Sequence, residues 1–305
     1  SNQDYLIPKI NLAILYHELG NLSEAKKYYQ EIIDLDKYNF AIYFNLSRID
    51  FSFFNQEKIT FIENSIKRDD ISLYNKASGY FILAKNKQIK KKFDEEINFL
   101  KKGHDFFCKS IQPRLFEQSN YYWLNIVPKK IGKIKIIDIK ENKKDNLEIN
   151  PIFIIGLPRS GSTLVESIIS SGNLKIPNGG ETATINWAIL KNCGKDILNK
   201  NNIISDKNKL RNDIINRYKN LSLLRSDKNF FFTDKSLENF FFIDLIVQLF
   251  PRAKFIHCER NKVDNIFAIY QNFLTSYYNE KKALPFKISI ASFLVILELQ
   301  ISVDK

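Results

Sequence analysis

A chain of 305 residues that is 44% apolar and 13% aromatic has enough hydrophobic material for two cores, which excludes a disordered protein. Its net charge of +12 favours anionic partners such as nucleotides, acidic peptides or glycans, yet no Arg-rich run or aromatic-interleaved basic motif supports nucleic acid. The three cysteines, Cys108, Cys193 and Cys258, lie far apart and in no CxxC pair, which argues against zinc and for reduced thiols in a cytosol. Methionine is absent even at position 1, so Ser1 is expected to be a processed or truncated end, and the opening residues do not read as a signal peptide.

From the N-terminus, Leu12, Tyr16, Leu19, Gly20, Ala25, Tyr28 and Ile32 follow one another in an order that resembles a tetratricopeptide repeat. In such a unit a small Gly and Ala let two helices pack closely. A second unit is expected from about 41 to 68 on Ile42, Leu46 and Ile49, and a third from about 73 to 107 on Ala77, Tyr80, Leu83, Phe93, Ile97 and Leu100. The expectation is an all-α, tetratricopeptide-like domain over residues 1–127. It serves either as a concave surface for a protein partner or as a packing collar for the rest of the chain. His17 and His104 fall in these helices and read as surface or helix-packing residues. The aromatic, partly helical stretch Pro113 to Pro128 closes the domain, and the charged run Lys140 to Asn150 belongs to a linker over 128–150.

Next comes the run Pro151-Ile-Phe-Ile-Ile-Gly156-Leu-Pro-Arg159-Ser160-Gly161-Ser162-Thr163. Ile152 to Ile155 read as a buried strand, a Gly- and Pro-containing turn follows, and Leu164, Val165, Ile168 and Ile169 then repeat at helical spacing. Glycines in such a turn let N–H groups converge on an anion at a helix N-terminus, so the loop is expected to hold a phosphate. Gly156, Gly161 and Thr163 stand at Walker A spacing, but the lysine position is Ser162. Pro158 takes the second glycine's place in a dinucleotide fingerprint. With Arg159 as its only charge, the loop suits a terminal phosphate clamped by backbone, hydroxyls and a guanidinium, with no magnesium-bound triphosphate.

Beyond the loop, Glu181 follows the turn Pro177-Asn-Gly-Gly and reads either as a site carboxylate or as a turn or helix-capping residue. Phe230 to Asp234 reads as a second parallel strand that delivers Asp234 and Lys235 at its carboxyl end, where open α/β sheets bind ligands. Lys235 could equally be a surface residue, and Asp234 a magnesium carboxylate. A heavily apolar helix is expected from Glu238 to Phe250, stopped by Pro251, then a third strand Lys254 to Cys258 ending at Arg260, with His257 a strand-end residue. Val263, Ile266, Phe267, Tyr270 and Phe273 should form a helix that covers the sheet. Phe286 to Val303, broken by Lys287, Glu298 and Gln300, is a poor membrane span and is expected to be a buried element.

The blocks PIFIIGLPRSGSTLVE, Gly-Gly-Glu181, Thr233-Asp-Lys235 and LFPRAKFIHCER-Asn261 stand in an order that resembles the bacterial sulfotransferases with a tetratricopeptide N-terminus, relatives of the tyrosylprotein sulfotransferases. The resemblance covers about residues 151 to 278. It implies an α/β fold, a three-layer P-loop-like parallel sheet over 151–305 in a bacterial cytoplasm, with 3′-phosphoadenosine 5′-phosphosulfate as donor and no metal. It implies also a hydroxyl acceptor on a protein tyrosine, a carbohydrate or a small alcohol. By this resemblance, Arg159, Ser160, Gly161, Ser162 and Thr163 bind the donor's 5′-phosphate and Arg260 its 3′-phosphate. Glu181 is the general base and Lys235 contacts the bridging oxygen. The family's usual serine eight residues after this Arg is Ala268, which removes a hydroxyl contact worth on the order of 1 kcal/mol. The family continues through further helices and a Tyr-Glu strand, so the stop at Lys305 implies a truncated or divergent C-terminus. A P-loop kinase or nucleotidase, and a non-catalytic repeat scaffold with a relic nucleotide domain, are the alternative readings.

Overall fold

The structure is a computed structural model that describes residues 2–110, 121, 135–136, 149–193, 203–204, 206–224 and 230–271. Phe273, the run Phe286 to Val303 and most of the stretch Pro113 to Pro128 lie outside them. The chain divides into two compact units, Ser1–Phe116 with Tyr270–Asn279, and Glu117–Ile269 with Glu280–Lys305.

The described part of the first unit is helical: α1 (Asn2–Glu18), α2 (Leu22–Leu35), α3 (Phe40–Ile49), α4 (Gln56–Ser65), α5 (Leu73–Ile89) and α6 (Phe93–Ser110). Polar residues start several of them. Asn55 accepts from the Lys58 amide at 2.9 Å and Ser72 from the Asn75 amide at 3.3 Å, each satisfying a donor that the first turn leaves over. The apolar stripe of α2 buries Ala25, Tyr29, Ile32 and Ile33, and α1 packs on α2, α3 on α5 and α5 on α6 around a core that includes Phe40 and Phe81. Ala25 is fully buried, as close helix packing requires. Gly20 differs from expectation: a Cβ there would meet nothing, and its φ of +77° shows that it ends α1 by conformation and not by close approach. His17 and His104 are helix-packing residues. The His17 ring lies 3.2 Å from the Tyr29 hydroxyl and His104 sits edge-on to Phe81, and burial lowers the pKa of both.

The second unit is mixed. Two-residue strands β1 (Lys135–Ile136) and β3 (Ile203–Ile204) pair in parallel, and the main sheet takes the order β4-β2-β5, all parallel, from β2 (Ile149–Gly156), β4 (Phe230–Asp234) and β5 (Lys254–Cys258). Helices α7 (Ser162–Ser171), α8 (Thr184–Cys193), α9 (Lys207–Asn220), α10 (Ile243–Leu249) and α11 (Lys262–Tyr270) accompany it. Phe153 on the central strand packs with Phe232, Ile189, Ile214, Tyr218 and Ile246 in one core. The strand begins at Ile149, inside the expected linker, because Ile149 pairs with Phe230 and is buried.

Two expectations are corrected. The single apolar helix after Lys235 is split into a 3₁₀ turn, Leu237–Phe242, and α10, because the Ser236 amide and the Asn239 side chain both donate to one oxygen of Asp234 and tighten the entry. Three of the apolar residues expected to cover the sheet from α11 face outward, Val263 at 74% exposure and Ile266 and Phe267 at 38% each, while Asn265 and Ile269 are the buried ones. Helix α7 follows the same rule, with Leu164 and Ile168 exposed and Ser162 and Glu166 buried. In both helices the inward positions include polar residues that serve the neighbouring loops.

Candidate functional site

The site begins where β2 runs out. Gly156 pairs with Cys258 of β5, and a Cβ there would collide with the Cys258 carbonyl oxygen, so only glycine lets the chain leave the sheet at this point. Arg159 then takes a positive φ of 65°, and the Ser160 amide donates to the Leu157 carbonyl at 3.2 Å. Such a left-handed arginine is costly, and a loop that folds it in outward-facing form is a common place to find function. Helix α7 opens at Ser162 without a side-chain cap, and its first backbone bond is from Val165 to the Gly161 carbonyl. The amides of the first turn therefore remain available to an anion.

These residues line an open cleft of about 400 Å³ formed by Arg159, Ser160, Gly161, Ser162, Thr163 and Arg260. Arg260 Nη1 donates to the Arg159 carbonyl at 3.2 Å, so two guanidinium groups share the rim. From below, the buried Asn265 donates to the Pro158 carbonyl at 3.0 Å and holds the loop on α11. The Ser160 hydroxyl is buried and has no hydrogen-bond partner among the described residues. An orphaned hydroxyl, an uncapped helix start and two arginines fit a phosphate-bearing ligand. Ala268 follows on the same helix and offers no hydroxyl.

The second half of the site is built on β4. The Thr233 amide donates to the Pro177 carbonyl at 3.0 Å and the Lys235 amide to the Gly180 carbonyl at 2.8 Å, so Pro177 to Gly180 runs alongside the strand end. Gly179 makes this approach feasible, since a Cβ there would overlap the Thr233 carbonyl. This backbone stitching brings Glu181 to Lys235, and their side chains pair at 2.8 Å. Lys235 is almost buried, at 7% side-chain exposure, while Glu181 is 50% exposed. One oxygen of the Glu181 carboxylate is spent on the lysine.

Asp234, fully buried, accepts from the Tyr218 hydroxyl at 2.6 Å, the Thr182 hydroxyl at 2.8 Å, the Ser236 amide at 2.9 Å and the Asn239 amide at 3.1 Å. It orders the surrounding turns. Burial first, and then the Asp234 charge, hold Tyr218 well above the usual phenol range, which keeps it a donor. Glu238, on the 3₁₀ turn, is pushed up to about 7, chiefly by burial, with the charges of Asp234 and Glu181 adding to it and Lys235 opposing.

The sequence-nominated residues thus fall in two groups, Arg159 to Thr163 with Arg260 in the cleft, and Glu181 with Lys235 at the end of β4. The lining of the cleft does not include the second group. Glu166 joins them: on α7 and only 2% exposed, it accepts from the Gly180 amide at 2.9 Å and from the Thr233 hydroxyl at 2.7 Å. Sequence reasoning missed Glu166, Asn265 as a loop clamp, Asp234 as an organiser, and Glu238. A signal was present for Glu166, the one charged residue of helix α7, one turn after Ser162.

Residues 151–290 match the model of the sulfotransferase family. This stretch is therefore a sulfotransferase-family domain. The chain is also 24% identical over 263 residues to an uncharacterized protein of Aquifex aeolicus (strain VF5), a match that covers 83% of this chain and 33% of that one. It spans about a third of the length of that relative. No solved structure matches the chain.

Proposed function

We propose that this chain transfers a sulfuryl group from 3′-phosphoadenosine 5′-phosphosulfate to a hydroxyl acceptor. The observation that carries the reading is the Glu181–Lys235 pair at 2.8 Å, held at a sheet end and tied to a phosphate-fitting loop within a sulfotransferase-family domain. Arg159, the first-turn amides and the hydroxyls of Ser160, Ser162 and Thr163 hold the 5′-phosphate, and Arg260 holds the 3′-phosphate. Glu181 takes the acceptor's proton as its oxygen forms a bond to sulfur and the bond from sulfur to the phosphate oxygen breaks. Lys235 donates to that departing oxygen as its charge grows.

The ion pair imposes an order on these events. While the two side chains pair, one oxygen of Glu181 is spent on the ammonium, and the Lys235 ammonium is turned to the carboxylate and not to a leaving group. Drawing Lys235 onto the bridging oxygen releases Glu181, so the base becomes competent only when donor is in place. The same reading takes residues 1–127 as a tetratricopeptide-like array facing a protein or glycan acceptor, joined by a linker over 128–150, in a bacterial cytoplasm. Against the kinase alternative stands Asp234, whose oxygens already serve the hydroxyl and amide donors described above.

Calorimetric titration of 3′-phosphoadenosine 5′-phosphate in EDTA, compared with ATP and magnesium, tests the donor site. Tight metal-free binding of the bisphosphate is expected, followed by transfer to one member of an acceptor panel comprising a phenol, a sugar and a primary alcohol. Binding of magnesium ATP alone would establish the kinase reading instead, and binding of neither would favour the scaffold.

A further inference from the structure

Glu166 is an acid on the buried face of α7, four residues after Ser162 and so directly behind the loop that lines the cleft. A carboxylate in the interior of a unit loses its hydration and persists only where fixed donors replace it. Here the donors come from two other segments. The Gly180 amide, next to Glu181, and the Thr233 hydroxyl, two residues before Lys235, both reach Oε1. The Thr233 hydroxyl also accepts from the Gly179 amide at 3.1 Å, which makes a chain of polarised bonds from the turn, through the strand, to the helix. Each member of the Glu181–Lys235 pair is therefore within two residues of a group hung on the same oxygen.

We infer that Glu166 is a positioning residue that latches the Glu181 turn and the Lys235 strand end to helix α7, setting both side chains relative to the loop that takes the donor's 5′-phosphate. The inference rests on the sulfuryl-transfer reading. Glu166 touches neither substrate in that reading and acts only through Gly180 and Thr233. An apolar side chain would fill the same space but would leave the Gly180 amide and the Thr233 hydroxyl without their acceptor, and misplacement by about 1 Å at a reacting centre costs on the order of 100-fold in rate.

The test compares Glu166→Ala, Glu166→Gln and Thr233→Val with the wild type in three measurements: turnover with the best acceptor of the panel, calorimetric affinity for 3′-phosphoadenosine 5′-phosphate, and hydrogen exchange at the Gly180 and Lys235 amides. Glu166→Ala is expected to lower kcat by about 100-fold, to leave bisphosphate affinity unchanged, and to speed exchange at both amides. Glu166→Gln, which keeps an acceptor oxygen, should recover most of the rate, a rescue that loss of fold would not show. Should Glu166→Ala fail to fold, Thr233→Val removes one hydroxyl and is expected to shift the same quantities in the same direction.

Wild-type turnover in folded Glu166→Ala, or a parallel loss of kcat and bisphosphate affinity, would overturn the positioning role. A wild type that transfers no sulfuryl group overturns the reaction reading and this role together, whereas unaltered amide exchange in the variants of an active protein overturns the role alone.

Discussion

Lys235 is held almost out of water while its partner Glu181 stays half exposed, so in this pair the carboxylate is the member that faces solvent. That asymmetry suits a base that must reach an incoming hydroxyl. Glu181→Gln keeps the size and cannot take a proton, so kcat is expected to fall by roughly 100-fold or more, with bisphosphate affinity unchanged in calorimetry. A variant that kept most of its rate would remove Glu181 from the chemistry. Glu238 yields a pH prediction. Its folded-state pKa is raised to about 7, mainly by burial, from an ordinary value of 4.5. The folded state therefore favours the protonated form: the stabilisation is complete below the ordinary value and is lost as pH rises through about 7. Glu238→Gln should flatten that decline, so its denaturation midpoint should exceed that of the wild type at pH 8 and show less change from pH 5. An unchanged slope would show that Glu238 does not titrate there. Nothing in the local sequence announced this shift, since it depends first on burial, which the fold decides, and only then on neighbouring charges, of which Glu181 comes from a distant segment.

At the level of elements, β4 does more than complete the sheet. Its outer end carries the Pro177 to Gly180 segment by backbone bonds, and Gly179 is the residue that permits the contact. Because the obstacle to a Cβ is the Thr233 carbonyl and not a movable side chain, Gly179→Ala must push the segment off the strand. A loss of about 1–3 kcal/mol is expected in urea denaturation, with a drop in turnover because Glu181 moves with the segment. If stability and turnover both stayed at wild-type values, the stitching would not be what places the base. The strand, loop and helix around Gly156 were readable from their apolar run and glycines. The inward faces of α7 and α11 were not, because an amphipathic pattern assumes that the apolar side is the buried one. Ser162, Glu166 and Asn265 face inward instead, and for Glu166 and Asn265 the interior polar groups of the neighbouring loops demand hydrogen-bond partners.

For the whole molecule, the cores of the two units, one around Phe40 and Phe81 and the other around Phe153 and Phe232, have no residue in common. Bisphosphate at about 100 times its Kd stabilises the unit that binds it by about 2.7 kcal/mol. Hydrogen exchange should accordingly slow in β2, β4 and β5, with little change in α1 to α6. Equal protection of α1 to α6 would show that the two units open together. The sequence by itself determined the chemistry on offer: a glycine-containing loop that lacks the Walker lysine and suits an anion, a basic chain, and an acid and a lysine in blocks that resemble those of sulfotransferases, each carried by residues adjacent along the chain. Tertiary structure alone decided that Glu181 meets Lys235 across 54 positions, that Asp234 is spent on structure, and that Glu166 ties the two halves together. These depend on parallel strands and tight glycine contacts bringing distant backbone into hydrogen-bond range, and no local spacing encodes such a convergence.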